Sequence, residues 1–214
     1  MRTLILAAVL GAAIPAAALA DVSLPKSLLA MSPETFQKKT VVIDDPLEHQ
    51  VTFSTEKAHR TGWNSLKNHT HDNYLVASLD RGTGAATFEV RQTVRYIGQQ
   101  RRDYRQVHYS AGDGLQKAAL NDVRQSTQMC PLNETYITEC VLGEHMAFTL
   151  DEKQIRAIAA RYRPGAAESW PFKMKDETGH DVTSAITAAE AAGLLMALDD
   201  HRAERFQGRQ FAAR

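Results

Sequence analysis

The segment TFEVRQTVRYI, residues 87–97, limits the fold more than any other stretch of this chain. Phe88, Val90, Val94 and Tyr96 fall on one side of an extended backbone, and Glu89, Arg91, Thr93 and Arg95 on the other. Successive side chains of a strand point to opposite faces, so this alternation suits a half-buried antiparallel strand. A helix, with about 3.6 residues per turn, would scatter the same apolar set around its axis.

The same period recurs along the first three quarters of the chain. KTVVID (39–44) and HQVTFST (49–55) flank a turn at Asp44-Asp45-Pro46, and NYLVASLD (73–80) is followed by the turn RGTG. RRDYRQVHYS (101–110) is expected to pair with 87–97 through a turn at residues 98–100. LQKAALNDVRQSTQM (115–129) reads as one long strand, ECVLGEHMAFTL (139–150) as another, and SWPFKMKD (169–176) as a late one. Helical spacing enters at LDEKQIRAIAARY (150–162). There Asp151 and Gln154 fit N-cap and N3, and Leu150 and Ile155 fit a hydrophobic staple. Thr187 and Glu190 form a second capping box ahead of the stripe Ala191, Leu194, Leu195 and Leu198. Ser32-Pro33-Glu34 marks a helix start in the lead-in. Sequential strands followed by two helices predict a mainly β, α+β fold: an antiparallel β-sandwich or open barrel with two C-terminal helices packed on one side.

The N-terminal twenty residues, MRTLILAAVLGAAIPAAALA, have a basic start, a short apolar run, a proline and a small-x-small ending at Ala18-Leu19-Ala20. These are the parts of a secretory signal peptide. The expected organisation is therefore a removable segment 1–20, a single β-rich domain 21–202 and a loose basic tail 203–214. The mature chain would be periplasmic or secreted, with no membrane-spanning segment. Loss of Arg2 with the leader leaves 24 basic against 25 acidic residues, which argues against general affinity for nucleic acid or anionic membrane. Cys130 and Cys140 are the only cysteines. In an exported chain, and without CxxC spacing, they are expected to form a structural disulfide.

Two places are candidates for function. Arg91, Arg95, Arg101, Arg102 and Arg105 gather around 91–105, offset locally by Glu89 and Asp103. Guanidinium groups fork onto carboxylates and phosphates, so an anionic ligand or an acidic protein partner is one reading. The other is a solvated face with acids between the arginines. The second place is NHTHDN, where His69 and His71 would share one face of a strand beside Asp72. Zinc or copper takes such ligands, with His49, His59, His108, His145 or His180 completing the set by residue type. STEK (54–57) lacks the companion motifs of penicillin-recognising enzymes, and GTG and GDG do not open helices as phosphate loops do. The leading expectation is an exported, non-enzymatic binding or interaction protein of a bacterial cell envelope. The alternative is a metal-binding protein or metal-dependent enzyme built on His69 and His71.

Overall fold

A computed structural model describes residues 22, 24–59, 73–112, 114–129, 132–133, 136–137 and 140–212. Two antiparallel sheets face each other. Sheet A takes β1 (Val41–Ile43), β2 (Gln50–Ser54), β3 (Asn73–Asp80), β4 (Ala86–Gly98), β7 (Asp122–Met129) and β10 (Cys140–Leu150), in the order β1-β2-β3-β4-β10-β7. Sheet B takes β5 (Tyr104–Ala111), β6 (Gly114–Ala119), β11 (Ser169–Asp176) and β12 (Val182–Thr187), in the order β12-β11-β5-β6. A two-residue pair, β8 (Leu132–Asn133) with β9 (Tyr136–Ile137), stands between β7 and β10. This is the expected sandwich.

The inward face follows the alternation. Phe88, Val90, Val94 and Tyr96 are all buried, with Phe148 and Met146 beside them on β10. Sheet B supplies Val107, Trp170, Phe172 and Met174. Phe148 meets Phe172 edge-on with centroids 5.3 Å apart, and Tyr109 stacks on Phe148 at 5.9 Å. Each large apolar side chain so buried contributes roughly 1.5–3 kcal/mol.

Two expectations are corrected by the pairing. First, 101–110 is not the hairpin partner of 87–97. β4 pairs with β3 over Ala86–Gln92 and with β10 over Phe88–Gly98, and the chain leaves sheet A after Gly98 to enter sheet B as β5. Second, 115–129 is two strands rather than one. The N–H of Leu120 donates to Arg105 O (3.0 Å) in sheet B, and the next N–H, of Asn121, donates to Ala147 O (2.9 Å) in sheet A. The chain turns the corner of the sandwich between two neighbouring residues, without a glycine or proline to mark it. A strand that the sequence pattern did not mark runs over 182–187. Five of its six residues are buried, so it has no two-residue polarity pattern to read.

The helices cover what sheet B leaves open. α1 (Lys26–Leu29) and α2 (Pro33–Lys39) lead in, α3 (Glu56–His59) follows β2, and α4 (Glu152–Ala159) and α5 (Ala188–Ala212) follow β10 and β12. Ser32 and Asp151 are N-caps, accepting from Thr35 N and Gln154 N at 3.4 and 2.6 Å. Ala191, Leu194, Leu195 and Leu198 are buried, as their spacing predicts. α5 runs on to Ala212, through most of the segment read as a tail. Its capping box is half made. Thr187 Oγ1 accepts from Glu190 N at 3.1 Å, but the buried Glu190 carboxylate reaches into sheet A and accepts from Thr55 Oγ1 (2.6 Å) and Leu75 N (3.1 Å). At Gly193 a Cβ would lie 2.5 Å from Phe36 Cβ and from Pro33 O, so the absence of a side chain is what lets α2 seat on α5.

Candidate functional site

The five arginines do not converge. Arg91 and Arg95 lie on the outward face of sheet A, since their alternate neighbours face the core. Arg91 donates to Glu89 Oε2 from Nε (2.9 Å) and Nη2 (2.7 Å), while Asn121 donates to the other Glu89 oxygen at 3.0 Å. Arg95 stands opposite Gly143 of β10. Arg101 and Arg102 belong to the crossing between the sheets rather than to a partner strand of β4. Arg101 donates to Thr127 Oγ1 of β7 at 2.8 Å. Arg105, in sheet B, pairs with Asp103 at 2.6 Å and with Glu177 at 3.4 Å.

Arg102 marks a polar group that joins the two sheets. Its guanidinium lies 4.1 Å above the Tyr96 ring and donates to the Tyr104 hydroxyl at 3.1 Å. Beneath it, Glu144 of β10 is completely buried. One carboxyl oxygen accepts from the Tyr96 hydroxyl and from Arg102 N, the latter at 2.9 Å; the other has no hydrogen-bond partner among the described residues. On the sheet B side, Asp176 accepts from Asp103 N (2.7 Å), His180 N (3.0 Å) and the Thr178 hydroxyl. The Tyr104 hydroxyl donates to His180 O at 2.9 Å and closes the group.

The two carboxyls are tuned in opposite directions. Burial pushes Glu144 above the usual glutamate range, against the bonds from Tyr96 and Arg102. Burial also opposes ionisation of Asp176, but the Thr178 hydroxyl and the backbone N–H groups of Asp103, His180 and Thr178 outweigh it and hold it at about 2. Tyr96 is raised to about 12, by burial first and then by its bond to Glu144. A raised carboxyl beside a phenol could pass a proton in an open pocket. Here both groups are buried in the sandwich and spend their bonds on each other and on the backbone of the crossing. The arrangement locks 98–104 between the sheets.

Glu144 and Asp176 were missed in the sequence, although a signal was there. In ECVLGEHMAFTL the inward set is Leu142, Glu144, Met146 and Phe148, and in SWPFKMKD it is Trp170, Phe172, Met174 and Asp176. A carboxylate on the apolar side of an alternating strand is the mark of a buried polar network.

His69, His71 and Asp72 lie outside the described residues, as does Cys130. Cys140 opens β10, where its neighbour Val141 pairs with Met129, the last residue of β7. No free cysteine occurs among the described residues. The other histidines are scattered: His49 borders a shallow depression of about 280 Å³ with Ile43, Asp45 and Glu48, His145 Nδ1 lies 2.8 Å from Thr93 Oγ1, and His180 sits beside Asp176. Among the described residues no three histidine, cysteine or carboxylate side chains group as metal ligands, and no helix is long and apolar enough to cross a membrane. No protein-family model, curated protein or solved structure matches the chain.

Proposed function

We propose that this chain is an exported, non-enzymatic binding or interaction protein of a bacterial cell envelope, acting through its sheet surfaces. The observation that carries the reading is the fate of its reactive groups. Glu144 and Tyr96, whose acidities are weakened, and Asp176, whose acidity is strengthened, are committed to one another and to the backbone of the β4–β5 crossing. They hold a rigid sandwich together and leave its outward faces to make contacts. The leader-like segment 1–20 supports export. The neighbouring β7–β10 register supports a bridge between Cys130 and Cys140, which in the chain-entropy model contributes about 3 kcal/mol.

The test is made on protein recovered from its native compartment. N-terminal sequencing should begin at Asp21, and both cysteines should resist alkylation until reduced. An intact Met1, or two thiols that react without reductant, would overturn the export reading. Stoichiometric zinc or copper in untagged protein, lost in His69→Ala or His71→Ala, would replace it with the metal-centred alternative.

A further inference from the structure

The outward face of sheet B carries a row of positive side chains that the fold leaves unbalanced. The β5–β6 register sets Lys117 opposite His108, and the β5–β11 register sets His108 opposite Lys173. Three neighbouring strands thus present three basic residues in line, across roughly 10 Å at ordinary strand spacing. Lys117 and Lys173 are exposed and His108 is half-buried. Elsewhere on the sheets Arg91, Arg105, Arg124 and Lys175 each meet a carboxylate. Lys117, His108 and Lys173 form no ion pair among the described residues. Like charges directly across a sheet are unfavourable, and the chain has as many acids as bases from which a partner could have been drawn. The carboxylate that acts on the row is Asp181, and Lys175 holds it.

We infer that this row is a docking face for the phosphate plane of an anionic lipid bilayer. The register puts the three side chains on one exposed face, open to a plane of head groups. Lysine ammonium groups act as point charges toward phosphate and need no bidentate geometry. Leu115, 65% exposed, lies on the same face two residues from Lys117 and offers an apolar contact at the interface. Burial, with the charges of Lys117, Lys175 and Lys173 against that of Asp181, holds His108 below its ordinary value. The row therefore carries two charges at neutral pH and gains a third on acidification. The inference names a partner for the surface reading above but does not depend on export, because any anionic leaflet would serve.

The experiment is co-sedimentation of the full chain with phosphatidylglycerol vesicles, using phosphatidylcholine vesicles to measure what apolar segments contribute. Selective binding to phosphatidylglycerol is expected, weakening with salt. Lys117→Gln and Lys173→Gln should each lower it about fivefold, the effect of one basic residue near a charged membrane. Arg91→Gln and Arg105→Gln remove the same charge away from the row and should leave binding nearly unchanged. Equal binding to both lipids, or equal loss in the two pairs of variants, would overturn the assignment. So would a His108 NMR shift with inorganic phosphate unaccompanied by vesicle binding, since that would make the row a site for soluble phosphate.

Discussion

The β4–β5 crossing and the outward row of sheet B both gather basic side chains, and the fold treats them in opposite ways. At the crossing, Arg102 lies over Tyr96, Arg101 reaches Thr127, and Arg105 has two carboxylates. In the row, two lysines flank a histidine with no acid between them. At the crossing the exposed Arg101 and Arg105 and the half-buried Arg102 are held by groups of both sheets, which ties the sheets together. The row stands in water, where like charges cost only tenths of a kcal/mol and can be kept for a partner. A dense run of arginines in sequence was therefore a weaker sign of a binding surface than three basic residues brought together from separate strands.

The contrast breaks most easily at the crossing. Asp176→Ala removes the acceptor for the backbone N–H groups of Asp103, His180 and Thr178 and for the Thr178 hydroxyl, and should cost about 3 kcal/mol in urea unfolding. A loss below 1 kcal/mol would mean that the crossing is not held from the sheet B side.

The two buried carboxyls should also give opposite pH dependences. Glu144 is raised above 4.5, so the folded state holds its proton more tightly than the unfolded chain; its contribution is complete below that value and declines as pH rises through the folded value. Asp176 is held at about 2 against an ordinary 3.8, so its contribution is present above 3.8 and lost as pH falls through about 2. Glu144→Gln should remove the decline that sets in as pH rises above 4.5, and Asp176→Asn the loss as pH falls toward 2. Stability curves parallel to wild type in both variants would contradict the assignment of these slopes.

The smallest effects separate the two regions by sign. Arg105→Ala breaks an exposed pair and should lower stability by less than about 1 kcal/mol. Lys173→Glu places an acid opposite His108 and should raise stability by a few tenths of a kcal/mol, seen as a small increase in melting temperature. A fall in stability on reversing Lys173 would mean that its charge already has a structural use.

Much of this was legible before the fold was known. Alternation located β3, β4, β10 and β11, and the caps at Ser32, Asp151 and Thr187 located the starts of three helices. The misreadings share a cause. The turn from β6 to β7 falls between Leu120 and Asn121, where no glycine or proline interrupts the extended chain and the change shows in the hydrogen-bond partners. β12 was hidden because burial on both faces erases polarity contrast. Glu190 was read as half of a capping box, yet its carboxylate serves β3 and Thr55, distant in sequence.

What the sequence determined by itself is therefore local: which residues extend, which coil, and which face of each strand seeks the core. These follow from backbone periodicity and side-chain polarity within a few residues. Tertiary structure decided which strand lies beside which, and hence which charges meet. It set Lys117 and Lys173 on either side of His108, drew Glu144 under Arg102, and parted Arg91 from Arg105. Pairing depends on how two sheets share one core and on which strand edges are already taken, and no window along the chain contains that information.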